Sequence, residues 1–186
     1  MKRWLIAVAS LSLAACTQSS PASTAAAPSG STEAGVGGSR TYIAHLVGDN
    51  EVPANASQGQ GQFILTLEKD GTLSYKVISS NIHNVVASHI HLGPLGSNGP
   101  IVQFLYGQPP VAAGGGLQDG ILAQGTINGS GLIGPLAGKK LADLIAAMDA
   151  GNTYVNVHTN DGVDGVNTGP GDFPGGEIRG QLDHGR

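Results

Sequence analysis

Gly59-Gln60-Gly61-Gln62-Phe63-Ile64-Leu65-Thr66-Leu67-Glu68-Lys69-Asp70-Gly71-Thr72-Leu73-Ser74-Tyr75-Lys76-Val77 is the stretch on which the fold turns. Gly59, Gly61, Phe63, Leu65 and Leu67 share one face, while Gln60, Gln62, Thr66 and Glu68 share the other. A period of two with one apolar side predicts a half-buried strand. Lys69-Asp70-Gly71-Thr72 is a tight hairpin signal, and Leu73, Tyr75 and Val77 return as the partner strand.

The same alternation extends in both directions. Upstream, Tyr42, Ala44 and Leu46 alternate with Ile43, His45 and Val47, and a long loop with Asn50-Glu51-Val52-Pro53 follows. Downstream, strands are expected over residues 85–92, 101–105, 121–127, 154–158 and 177–182. Residues 106–120 read as a Pro- and Gly-rich loop, and Asn128-Gly129-Ser130-Gly131 as a turn. Leu141, Leu144, Ile145 and Met148 fall at helical spacing before Gly151, so one short helix is expected near 141–150. About eight short strands separated by turns predict an all-β domain, an antiparallel Greek-key sandwich or flattened barrel. No internal repeat is found at solenoid periods.

Composition narrows the function classes. Without residues 1–15 the chain keeps seven basic residues against thirteen acidic ones, a net charge of −6. Nucleic-acid binding needs clustered Lys and Arg, so no nucleic acid is expected. Electrostatic binding to anionic lipid is disfavoured for the same reason. With one cysteine, the core must hold without an internal disulfide.

That cysteine sits at the end of an export signal. Lys2 and Arg3 precede an apolar run from Trp4 to Leu13, which is too short to span a bilayer. Leu13-Ala14-Ala15-Cys16 closely resembles the lipobox of bacterial lipoproteins, which implies that Cys16 is acylated and becomes the first mature residue. Thr17 follows, where Asp would resemble an inner-membrane retention signal, so the outer membrane is the expected destination in a Gram-negative host. Of residues 17–39, 20 of 23 are Ser, Thr, Ala, Gly or Pro, which reads as a flexible tether. The expected organisation is a signal peptide over 1–15, a lipidated Cys16 with its tether over 16–39, and one domain over 40–186. The membrane is the expected partner, through the lipid; a monomer is expected, and the sequence names no protein or surface-polymer partner.

The chemistry concentrates in histidines. His89 and His91 are two apart, so both rings leave one face of a strand. His158 ends another strand, on the face of Tyr154 and Asn156, and Glu177 and Arg179 share a face of the last strand. Imidazoles converging from adjacent strands can make a copper or zinc site. The same residues also suit a polar stripe hydrogen-bonded to backbone, Ser88 or Glu177. His45, His83 and His184 are expected on an exposed strand face, in a loop and in the tail.

Four segments carry a family resemblance. They are Glu51-Val52-Pro53; Ser88-His89-Ile90-His91-Leu92-Gly93 with Gly96 and Asn98-Gly99-Pro100; Tyr154-Val155-Asn156-Val157-His158-Thr159; and Gly176-Glu177-Ile178-Arg179-Gly180-Gln181-Leu182. In this order they resemble the motifs of the CHRD (chordin) domain family, over essentially 40–183. The resemblance implies an all-β domain, and for microbial members no settled activity. The succession of Gly-rich strand, hairpin, His-x-His, Val-x-Val-His and late Arg is also similar to copper-zinc superoxide dismutase. That similarity implies copper ligands at His89, His91 and His158, an anion guide at Arg179 and a superoxide-dismutase-like barrel. The zinc half has no counterpart, since residues 93–100 hold no His, Asp or Glu, and no zinc site is expected. Glu177 is a candidate fourth ligand, or with Arg179 a hydrogen-bonding neighbour of the ligands. Between His158-Thr159 and Gly176-Glu177 lies an Asp-, Asn- and Gly-rich insertion with Asp161, Asp164 and Asp172, readable as a calcium-binding or a solvated loop.

The chain lacks a Gly-x-Ser-x-Gly nucleophile elbow and a Walker loop, and no catalytic residue is assigned. The leading expectation is a lipid-anchored, extracytoplasmic, non-catalytic binding or structural module at the cell surface. The alternatives are a copper-binding protein for storage, delivery or tolerance, and a relict dismutase-like oxidoreductase.

Overall fold

A computed structural model of the protein describes residues 39–109, 114–163 and 167–185. The expected signal peptide, Cys16, nearly all of the tether and Asp164 lie outside the described residues. Among the described residues no helix is long and apolar enough to cross a membrane.

The hairpin at the centre of the sequence is the centre of the sheet. Strand β2 (Gln60–Leu67) pairs antiparallel with β3 (Leu73–His83), setting Phe63 opposite Val77. Phe63, Leu65, Leu73 and Val77 are fully buried. The turn closes through the Thr72 carbonyl, which accepts the Glu68 N–H, with Gly71 at φ +84°, a conformation only glycine adopts without strain. On the other side of β2 lies β1 (Arg40–Val47), with Tyr42, Ala44 and Leu46 buried and His45 exposed.

The remaining elements are β4 (Val85–Leu92), β5 (Ile101–Tyr106), β6 (Leu117–Ile127), α1 (Leu141–Asp149), β7 (Thr153–Thr159), β8 (Ile178–Gln181) and the two-residue β9 (Asp183–His184). The strands form one antiparallel sheet in the order β5-β4-β7-β8-β1-β2-β3-β6, with β9 against β1. Placing β6 beside β3 and β7 beside β4 gives Greek-key crossovers. The two ends of this path approach each other: the Tyr75 hydroxyl donates to the Leu105 carbonyl (2.9 Å), and the Ile133 N–H donates to the Val102 carbonyl (2.9 Å). The sheet is thus a nearly closed barrel around one core that includes Phe63, Leu65, Ile90, Val102, Val155 and Ile178.

Helix α1 buries Leu144 and Met148. Asp143 accepts the Lys140 N–H at its start (2.8 Å), and Gly151 at φ +66° ends it. The last helical residue, Asp149, accepts the buried Tyr42 hydroxyl (2.6 Å) and pairs with Arg40 (2.8 Å), which pins the helix to β1.

Three boundaries differ from the expectation. Strand β6 begins at Leu117 rather than Ile121. Its polar beginning is held across the sheet by Asp119, which accepts the Asn81 N–H (2.7 Å) and the Ser80 hydroxyl (3.0 Å). A hydrophobic-period reading has no access to such bonds. For the same reason β3 runs on through register shifts to His83, which therefore lies on a strand and not in a loop. His184 is not a free tail residue, since β9 pairs with β1 and its ring lies 5.0 Å from that of Tyr42.

Candidate metal centre

Strands β4 and β7 are neighbours, and their register sets His89 opposite Asn156, His91 opposite Tyr154 and Ala87 opposite His158. Ile90, Val155 and Val157 occupy the core. Strand alternation therefore sends His89, His91, Tyr154, Asn156 and His158 to the opposite face together. His89 and His91 are 6% and 7% exposed, and His158 is partly buried.

One nitrogen from each of the three imidazoles lies within 4.8 Å of the other two. His89 Nδ1 is 3.2 Å from His158 Nε2. His91 Nδ1 lies 2.8 Å from the Gly99 carbonyl oxygen, and His158 Nδ1 lies 2.8 Å from that of Pro174. A carbonyl can only accept, so these two Nδ1 atoms carry the protons and both Nε2 atoms keep lone pairs. Backbone acceptors commonly orient metal-ligating histidines in this way. His91 Nε2 is buried without a hydrogen-bond partner. Desolvation, reinforced by the neighbouring His158 and His91, depresses the His89 pKa to about 3, and desolvation depresses that of His158 to about 4. His91 is lowered as well, again chiefly by desolvation. At neutral pH all three rings are uncharged.

Around this trio the site is walled by aromatic groups. Phe104 of β5 meets His89 edge-on (4.9 Å), and Tyr154 stacks on His91 (4.7 Å, 9° between planes). The Arg179 guanidinium lies 3.4 Å from the centroid of the Tyr154 ring. It also donates to Asn98 Oδ1 (2.9 Å) and the Ser97 carbonyl (2.7 Å), and the residue is 1% exposed. Arg179 therefore fastens the 93–100 loop over the sheet.

Glu177 belongs to a different arrangement. Its carboxylate accepts from the Ser57 hydroxyl (2.6 Å), the Thr159 hydroxyl and the Gly171 N–H (2.9 Å). Three donors from three segments make it a tie between loops, and it is not among the residues that converge with the histidines. In the insertion, Asp161 accepts the Val163 N–H, while buried Asp172 accepts from Thr168. Among the described residues these carboxylates form no three-membered cluster, and residues 171–173 are buried instead of solvated.

Two neighbours of the site escaped the sequence reading as site residues. Glu51, 6% exposed, borders a cavity of about 330 Å³ with Val52, Pro53, Phe173 and Pro174. Desolvation raises its pKa to about 7 against the nearby Arg179 charge. Asn156 lies with Oδ1 3.0 Å from His158 Nε2. Asn156 was detectable as a polar residue two positions before His158 on a strand; Glu51 sits in a loop with no period to mark it.

Residues 42–182 match a family model described as the CHRD domain. No curated protein and no solved structure matches the chain.

Proposed function

The chain belongs to the CHRD domain family, and within it we propose a non-catalytic, lipid-anchored binding module whose ligand is copper, held by His89, His91 and His158. The observation that carries this reading is the convergence of three neutral imidazoles, two of them oriented by carbonyl bonds at Nδ1. Metal–nitrogen bonds of about 2.0–2.1 Å require neighbouring ligand atoms roughly 2.8–3.4 Å apart. The His89–His158 separation of 3.2 Å already lies in that range. Copper is favoured over zinc because an open imidazole site follows the general affinity order of divalent metals, in which copper stands highest. Export suits such a role, and the Cys16 lipid with its tether would keep the domain beside a membrane.

Binding is favoured over dismutation by Arg179, whose guanidinium is buried under loop 93–100 and engaged by Asn98, Ser97 and Tyr154. An anion guide needs an accessible charge. Storage, delivery and tolerance all require tight binding without turnover. The test is titration of the purified protein with copper in parallel with His91→Ala. The expected result is one equivalent bound with a dissociation constant below about 1 µM, lost in the variant. Weak binding that survives the substitution would remove copper from the reading and leave a structural module.

A further inference from the structure

Three histidines leave one position of a four-coordinate site to be filled, and the arrangement around Asn156 addresses it. His158 Nε2 carries a lone pair, because the one proton of the neutral ring is on Nδ1 against the Pro174 carbonyl. Asn156 Oδ1, also an acceptor, nevertheless lies 3.0 Å from that nitrogen. Two buried lone pairs at this distance repel unless a proton or a cation lies between them. His89 Nδ1, at 3.2 Å, approaches the same nitrogen. These two separations, 3.0 and 3.2 Å, are those of atoms sharing one metal ion on bonds of about 2.0–2.1 Å.

The other end of the amide faces a carboxylate. Asn156 Nδ2 lies on the side of Glu51, whose Oε1 is buried without a hydrogen-bond partner. The two meet over Gly176, where a Cβ would stand 2.4 Å from Glu51 Oε1 and 3.0 Å from Asn156 Nδ2. The Gly176 backbone, at φ +129°, leaves room for both groups. Nδ2 can donate only towards an acceptor, and the Glu51 carboxylate is one. Turning the amide round would put Oδ1 against that carboxylate, again two acceptors face to face.

We propose that the amide oxygen of Asn156 is the fourth ligand of the three-histidine site. This rests on the copper reading above. Carbonyl oxygens complete histidine-rich copper sites elsewhere. The place for which Glu177 was one candidate thus passes to a neutral oxygen two residues before His158.

The test is pulsed electron paramagnetic resonance of the Cu(II)-loaded protein in D2O, with affinities measured alongside. Wild type should show no strongly coupled deuterons of a copper-bound water, because the amide oxygen occupies that position. Asn156→Ala should gain that water signature and bind copper about tenfold more weakly. Asn156→Asp keeps an oxygen of the same shape and should stay free of the water signature, which preserves the test if the alanine variant folds poorly. If wild type binds copper and His158→Ala does not, yet wild type already carries the water and Asn156→Ala binds equally well, Asn156 is no ligand and the three-histidine reading stands. If wild type binds no copper, both fall.

Discussion

His91 Nε2 is buried and unpartnered, and leaving such an atom unsatisfied costs about 1–3 kcal/mol. A metal ion removes that cost, so the stability of the ligand-free protein should register its histidines through pH. The folded-state pKa values of His89 and His158, about 3 and about 4, lie below the ordinary 6.5, and that of His91 is lowered too. Their contribution is complete above pH 6.5 and is lost as the pH falls towards 4, because the unfolded chain takes up protons first. Glu51 acts with the opposite sign. Its pKa is raised from 4.5 to about 7, so its contribution is complete below 4.5 and is lost as the pH rises through 7. Three histidines oppose one carboxyl, so urea titrations should show stability falling from pH 6.5 to 4.5. Glu51→Gln should steepen that fall by up to about 1.4 kcal/mol per pH unit; an unchanged slope would mean that Glu51 titrates normally. The histidines were legible in the sequence because strand alternation assigns faces without any knowledge of packing. Glu51 was not legible, because its burial depends on loops 93–100 and 167–176 closing over the sheet.

At the scale of elements, the hairpin of β2 and β3 was legible in full, since period two and a glycine turn are local signals. The beginning of β6 was not, being set by Asp119 reaching across to β3. Glu177 offers a similar case. Its position before β8 could be read, but its three donors come from the 50–59 loop, the end of β7 and the 160–176 loop. Glu177→Ala leaves two hydroxyls and one N–H without their acceptor, which should cost about 3 kcal/mol in chemical denaturation. It should also weaken copper binding, since the loop it ties down carries the Pro174 carbonyl that orients His158. A variant with wild-type stability and copper affinity would show that the loop holds its place by other contacts.

For the whole molecule, the strand order places β4 and β7 side by side although 60 residues separate Leu92 from Thr153. That adjacency makes the three-histidine site, and sequence periodicity alone does not report it. The class of fold followed from short strands and turns; the neighbour relations came from the Greek-key closure. The anchor is a separate matter. If Cys16 carries lipid, the wild-type protein should partition with membranes, and Cys16→Ser should release it without changing copper affinity. Equal partitioning of both would argue against acylation.

X-ray absorption at the copper edge observes the atoms around the metal directly. The loaded protein should show three imidazole ligands with nitrogen at about 2.0 Å, together with one oxygen. Replacing His89, His91 or His158 should remove one imidazole or abolish binding. A copper ion surrounded only by oxygen, or an imidazole count that none of the three substitutions alters, would contradict the account.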